Sequence, residues 1–249
     1  EDAVSGMRIF ALDAASRVVA VDAAGWAERY TYDDIGNQVE AAWPTSHPGA
    51  EARGQRTYQG TRLSRAGSVR YEHDAAGRVI RRQKTRLSHK PDNWHYTWDT
   101  EDRLTSVVTP HGTTWRYRYD PLGRRTAKQR LSPSGDVVEE ILFTWDGPVL
   151  CEQIESSPQL PHPVITSWTY QGRHPLTQTE RIAQDEDQQE IDSRFFAIVT
   201  DLVGTPTELV DEQGTIVWQT RSTLWGTTAW NRDAIAYTPL RFPGQYFDP

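Results

Sequence analysis

The sequence lacks the features that most often indicate a chemical activity. It has one cysteine, Cys151, in 249 residues, which excludes an internal disulfide framework. It contains no glycine-rich phosphate loop, no His-Glu-x-x-His and no Gly-x-Ser-x-Gly, and its seven histidines do not pair at metal-ligand spacing. We therefore predict no catalytic residue, no metal site and no cofactor.

Long apolar runs and excess positive charge are also missing. No stretch approaches the roughly 20 apolar residues that a membrane-spanning helix needs, so we expect no membrane span. The first four residues do not begin a basic-then-apolar signal segment, so either export uses another route or the chain is part of something longer. With 27 basic and 34 acidic residues the formal net charge is −7, which argues against nucleic-acid binding.

Helical patterns are scarce because 17 glycines and 15 prolines interrupt the chain every few residues. The main exception is the polar segment 179–194, which we interpret as a loop. Its acidic residues at 185–187 and 190 lack the central glycine and terminal glutamate of a calcium loop.

The sequence does contain a repeated motif, in which an aromatic residue lies two positions before another aromatic residue or histidine and an aspartate follows directly. In residues 117–124, Tyr117 and Tyr119 lie on one face of a strand, and Asp120 and Gly123 suit a type I turn with a bulge. Where the glycine is missing, Asp102 takes its place, a residue type that tolerates the left-handed region. The residues of the copies are Tyr30, Tyr32, Asp33, Gly36, Tyr71, Asp74, Gly77, Tyr96, Trp98, Asp99, Tyr117, Tyr119, Asp120, Gly123, Trp145 and Asp146.

Segments of strand length separate these motifs, and a plainer turn at Gly25 or Gly112 precedes the next aspartate by eight residues. The pattern predicts an all-β fold of antiparallel hairpin repeats, in which no unit has a core of its own. We expect the aromatic pairs to form ladders across neighbouring strands. The aspartates occupy turn positions, so backbone geometry explains them without catalysis.

The most basic stretch, residues 78–87, has two interpretations. Alternation places Arg78, Ile80, Arg82, Lys84 and Arg86 on one face, which could bind an anionic ligand or nucleic acid beside Tyr71. We favour a solvated face that protects a strand from aggregation.

The last fifty residues carry an ordered series of short motifs. Two turns with the pattern Asp-x-x-Gly-Thr, at Asp201–Gly204 and Asp211–Gly214, are followed by Trp225-Gly226 and by Arg-Phe-Pro-Gly-Gln-Tyr, which contains Gly244 and Tyr246. Together with the aromatic-Asp copies, this series resembles the RHS and YD-repeat proteins. The resemblance divides the chain into a repeat array, residues 1–195, and the start of the RHS-associated core, residues 196–249, continuous with it.

The resemblance implies a large spiralling sheet that forms a hollow shell around a C-terminal toxin. It implies a non-catalytic shell segment of a bacterial toxin, secreted or at the cell surface, with the downstream toxin domain as its partner. Export machinery or a chaperone is a further candidate partner. The family's self-cleaving aspartate pair lies in a plug beyond this tail, so we assign that role to no residue, including Asp248.

Two further expectations follow from this interpretation. Sheet edges cut from a longer spiral should make the isolated fragment self-associate. The alternative function is a cell-surface adhesion or carbohydrate-binding module, because aromatic rows on strand faces also bind sugars.

Overall fold

The computed structural model describes residues 6–183 and 190–248. These residues form twenty β-strands and one 3₁₀ turn, Ala50–Ala52, with no α-helix among them. The predicted all-β fold of antiparallel hairpins is therefore confirmed. In the described ranges no helix is long and apolar enough to cross a bilayer.

The chain divides into two compact units. The first comprises residues 1–96 and 221–229, and the second comprises residues 97–220 and 230–249. In the first unit each strand pairs antiparallel with the next in sequence. Its strands are β1 (Ile9–Leu12), β2 (Val18–Ala23), β3 (Trp26–Tyr32), β4 (Gln38–Ala42), β5 (Gly54–Gln59), β6 (Arg62–Ala66), β7 (Val69–His73), β8 (Val79–Lys84) and most of β9 (Asp92–Trp98).

The second unit repeats the same antiparallel order from β10 to β19. The last residues of β19 and the first of β20 belong to the first unit. The strands are β10 (Leu104–Val108), β11 (Thr114–Tyr119), β12 (Arg125–Leu131), β13 (Val137–Asp146), β14 (Val149–Ser156), β15 (Val164–Gln171), β16 (His174–Ala183), β17 (Glu190–Thr200), β18 (Pro206–Val210), β19 (Ile216–Ser222) and β20 (Thr228–Trp230).

Burial alternates along strands such as β3 and β5, as the side-chain period of two predicts, but not along β12, which buries three residues in a row. In β3, Trp26, Glu28 and Tyr30 are buried while the residues between them are exposed. The larger core lies in the second unit and includes Trp168 and Trp218.

The prediction of a loop for residues 179–194 is wrong at both ends of this segment. Strand β16 continues to Ala183 and β17 begins at Glu190, with Arg181 opposite Ser193 and Ile182 opposite Asp192. Polar side chains did not prevent pairing, because the ladder uses backbone groups and the side chains stand off the sheet. The residues between, including the acidic 185–187, lie outside the described ranges.

The basic strand, β8, has its charges compensated. Arg81 forms an ion pair with Glu72, and Arg82 lies 2.8 Å from Glu51 and 4.4 Å from the ring centre of Trp94. These contacts favour the structural interpretation of this strand over an anion-binding stripe.

Candidate functional site

Ten loops of the described chain share one hydrogen-bond pattern. In the Asp120 loop, the Asp120 N–H donates to the Arg124 carbonyl (2.9 Å) and the Gly123 N–H donates to the Asp120 carbonyl (3.0 Å). The fourth residue has positive φ, and it is glycine in eight loops, Ser16 in one and Asp102 in another, each of the last two at 61°. The prediction for Asp102 is confirmed. The loops begin at Asp13, Asp33, Asp74, Asp99, Thr109, Asp120, Ser132, Asp201, Asp211 and Thr223.

The aspartate side chain closes its own loop. Oδ1 of Asp120 accepts from the backbone N–H groups of Leu122 and Arg124, each at 2.9 Å, and Oδ2 accepts from Nε of Arg124 at 2.7 Å. The same 2.7 Å bond joins Arg17 to Asp13, Arg78 to Asp74 and Arg103 to Asp99.

These donors also set the protonation of the loop aspartates. The Arg78 side-chain hydrogen bond, followed by the Arg78 backbone N–H, holds the pKa of Asp74 below its usual range. At Asp99, the backbone N–H of Arg103 has the largest such effect. The carboxylates of Asp74 and Asp99 are therefore stabilised as charged acceptors that fix the backbone of their loops.

The ring directly before the aspartate reaches across to the preceding strand. Tyr119 on β11 donates its hydroxyl to the Leu104 carbonyl on β10 at 2.8 Å, and Tyr32 on β3 donates to the Val18 carbonyl on β2 at 3.2 Å. In β13, Nε1 of Trp145 donates to the Arg125 carbonyl on β12 at 2.8 Å. We call such a bond an anchor bond. Each one fastens a hairpin to the strand before it.

The loop arginine adds a second contact to this arrangement. The guanidinium carbon of Arg17 lies 4.9 Å from the ring centre of Tyr32, and that of Arg103 lies 5.6 Å from the ring centre of Tyr119. Tyrosine, aspartate and arginine therefore hold successive hairpins together.

Several motif residues differ from their predicted arrangement. Asp146 ends β13 and pairs with Val149 across a two-residue turn, because the following Gly147-Pro148 shortens the connection. Ala23 pairs with Trp26 across another two-residue turn at Gly25, whereas Gly112 belongs to the ten-loop class. The plainer turns predicted at Gly25 and Gly112 therefore belong to different classes.

The remaining motif residues lie on strands or in loops as follows. Tyr71 is on β7, and Tyr96 and Trp98 are on β9, while Tyr30 is buried on β3. Glycines 36, 77, 204 and 214 occupy the positive-φ position of their loops. The sequence motif does not predict the loops that begin at Asp13, Ser132 and Thr223. Each of these loops nevertheless begins with a side chain that can accept a hydrogen bond, four residues before the residue that closes the loop.

Aromatic ladders between neighbouring strands were expected, but the close ring pairs among the described residues mostly involve residues after 220. Tyr246 packs edge-on against Phe143 with ring centres 5.2 Å apart, and Tyr30 packs edge-on against Trp225 at 6.3 Å. Tyr32, Tyr119 and Trp145 bond to carbonyls instead, which satisfies their polar groups at the edge of the core.

In the first unit, Glu28 is 1% exposed and joins distant parts of the chain. Its carboxylate accepts from Nε1 of Trp26 at 2.9 Å, from the Tyr30 hydroxyl, and from the Leu224 N–H at 2.8 Å. His47 contacts the Arg221 carbonyl through Nε2 at 3.1 Å, and burial lowers the pKa of its ring. Residues 221–229 are thus fixed to β3 and to the loop after β4.

In the second unit, residues 231–248 form what we call the docked tail. The Tyr246 hydroxyl donates to Oε1 of Gln153 and Nε2 of Gln178 donates to the Tyr237 carbonyl, both at 2.8 Å. Gln178 is fully buried and also accepts from Nε1 of Trp168. The tail therefore covers the core face of β13–β16.

Two cationic contacts complete the docked tail. Arg241 is buried, donates to the carbonyls of Thr238 and Leu240 at 2.8 Å, and lies 4.8 Å from the ring centre of Phe247. Asp248 forms ion pairs with Arg125 at 2.5 Å and with the buried Lys128 at 3.1 Å. Gly244, at φ 87°, provides the turn between Arg241 and Asp248.

The described residues offer little for catalysis. They contain no group of three metal-ligating side chains. Burial raises the pKa of Cys151, whose Sγ lies 3.3 Å from the Thr144 carbonyl, so this thiol is not activated.

Comparison with known proteins identifies a family. The model of the teneurin YD-shell family matches residues 10–249.

Curated relatives are bacterial and much longer. The chain is 30% identical to "Probable deoxyribonuclease RhsA" of Dickeya dadantii, over 96% of this chain and 16% of the relative. It is 32% identical to "Probable deoxyribonuclease RhsB" of the same organism, over 77% and 13%. It is 30% identical to "Double-stranded DNA deaminase toxin A" of Burkholderia cenocepacia, over 99% and 18%. The chain thus spans less than a fifth of each of these relatives.

Proposed function

The chain belongs to the teneurin YD-shell family, and on that basis we propose that it forms a wall segment of a bacterial RHS toxin that encloses a C-terminal toxic cargo. In this proposal the segment catalyses no reaction. Residues 1–195 supply the repeat array, and residues 196–249 begin the RHS-associated core.

The observation that carries this proposal is the use of the motif side chains. Anchor bonds engage three of the motif rings, loop closure engages the loop aspartates, and two loop arginines contact a ring as well as their own aspartate. These groups hold strand to strand, as a wall requires, and a glycan platform would need their rings free. The geometry therefore supports a wall more than the adhesion or carbohydrate-binding alternative.

The relatives support the same proposal from another direction. One relative is named a deoxyribonuclease and another a DNA deaminase, and both align with more than nine-tenths of this chain. Two unlike activities are best explained by residues outside the shared segment. We accordingly place the activity in a downstream domain, which would be the partner of this wall.

The remaining parts of the proposal concern location and assembly. We place the protein outside the producing bacterium or at its surface, as a part of a toxin delivered to other cells. Export machinery or a chaperone would then be a second partner, and exposed sheet edges would join this segment to neighbouring parts of the wall.

Protease protection tests the enclosure directly. The full-length gene product and its separately expressed downstream domain are treated with the same protease, and the survival of the downstream domain is followed by mass spectrometry. We expect protection in the full-length protein that disappears when the wall is unfolded with denaturant. Equal digestion of both samples, or a coding sequence without a downstream domain, would contradict the proposal, and a positive glycan array would favour adhesion.

A further inference from the structure

A small cavity opens where the docked tail meets the hairpin turns of β13–β16. Its volume is about 180 Å³, and its walls include Trp145, Val149, Leu150, Tyr170 and Tyr246. All of these residues belong to the second unit. The proposed function uses none of this space.

Three rings and several aliphatic groups form much of the walls, and the polar atom of each ring is already bonded. Nε1 of Trp145 donates to the Arg125 carbonyl, the Tyr170 hydroxyl to the Leu150 carbonyl, and the Tyr246 hydroxyl to Oε1 of Gln153, each at 2.8 Å. A ligand between these rings would find no free polar atom on them. The cavity therefore selects an apolar group.

The size of the cavity limits what can enter it. An apolar cavity of about 150 Å³ accepts a benzene ring, whereas pockets for whole small-molecule ligands usually measure about 300–1,000 Å³. The space suits one aromatic or leucine side chain, as in the central pocket of a protein interface.

One charge stands beside the cavity. Arg173 follows Gly172 in the turn between β15 and β16, lines the cavity and is exposed. Among the described residues, no ion pair occupies its guanidinium. A carboxylate next to the entering side chain would meet this cation.

We propose that this cavity, the tail pocket, docks a polypeptide segment by one large apolar side chain with an acidic residue beside it. The apolar side chain fills the space between Trp145 and the tail, and the carboxylate pairs with Arg173. The inference does not depend on enclosure of a cargo, since it concerns only the walls and the charge of the pocket.

Blocked dipeptides test the proposal on the 249-residue chain. The probes are acetyl-Phe-Glu-amide, its uncharged match acetyl-Phe-Gln-amide, and acetyl-Ala-Glu-amide, which lacks the apolar group, with binding followed by ligand-observed NMR. We expect saturable binding of the first, weaker binding of the second and none of the third. An exposed ion pair contributes about 0.2–1 kcal/mol, so the first should bind about 1.4- to fivefold more tightly than the second.

Three variants separate the pocket from other binding. Arg173→Gln should remove the preference for glutamate without changing the melting temperature. Arg232→Gln, an exposed arginine of the tail outside the pocket walls, should change nothing. Val149→Phe should fill the cavity and abolish binding while the protein stays folded. No saturation with acetyl-Phe-Glu-amide, or binding unchanged by Val149→Phe, would overturn the proposal, and equal binding of both phenylalanine probes would overturn its acidic part.

Discussion

Replacing Tyr119 by phenylalanine removes one hydroxyl group and leaves the ring in place. The hydroxyl donates to the Leu104 carbonyl at 2.8 Å, while the ring keeps its contact with Arg103. A net hydrogen bond between neutral groups contributes about 0.5–1.5 kcal/mol, so we expect the free energy of unfolding to fall by about 1 kcal/mol. In a chain of this length that change lowers the melting temperature by about 2–4 °C.

A hydrogen bond of the same kind, from a ring that no aspartate follows, allows the effect to be repeated in the same unit. Tyr170 donates to the Leu150 carbonyl at 2.8 Å, and burial raises the pKa of its hydroxyl. Tyr170→Phe should cost a similar amount. Because the two bonds share no partner, the double variant should lose about 2 kcal/mol, close to the sum of the single losses.

Tyr96 is the matched control for both substitutions. It is half-buried like Tyr119, but within the described residues no acceptor for its hydroxyl is found. Tyr96→Phe should therefore change the urea midpoint very little. An unchanged midpoint for Tyr119→Phe, or an equal loss for Tyr96→Phe, would refute the view that anchor bonds hold the hairpins together.

Four other outcomes follow from the contacts. The pKa of Asp74 is lower in the folded protein than in the unfolded chain, so its carboxylate stabilises the fold above about pH 4. This stabilisation is lost as the pH falls through the folded pKa. Asp74→Asn should therefore make the melting temperature less dependent on pH in this acid range. Burial lowers the pKa of His47, so the unfolded state takes up the proton first and stability should fall as pH drops below about 6.5; His47→Gln should remove this slope. Gly67→Ala would place Cβ 2.3 Å from the Arg53 carbonyl oxygen and should lower the melting temperature far more than Gly112→Ala, which meets open space and costs about 1–2 kcal/mol of left-handed strain. Strand β1 exposes Ile9, Phe10 and Leu12, so sedimentation velocity should show association that grows with concentration, and a sharp monomer at all concentrations would contradict this.

Local features were the most predictable from the sequence. Tyrosine pairs two residues apart, followed by aspartate and a residue that tolerates positive φ, determine a strand end and a loop within eight residues. Asp102 shows how far this reasoning reaches, because its backbone takes the left-handed conformation expected from its residue type.

Features that depend on distant parts of the chain could not be predicted. The bond from Leu224 to Glu28 joins residues 196 positions apart, and nothing near either residue indicates it. The role of the motif rings was also missed, because alternation gives the face of a ring but not the carbonyl that its hydroxyl reaches. Composition alone favours a loop for the polar residues of β16 and β17, because it carries no information about the strand pairing that satisfies their backbone.

Electron cryo-microscopy of the full-length gene product tests the central claim most directly. The account predicts a closed hollow particle whose wall contains residues 6–248 and whose interior holds density for the downstream domain. A solid particle, or a wall with the downstream domain entirely outside it, would contradict the account.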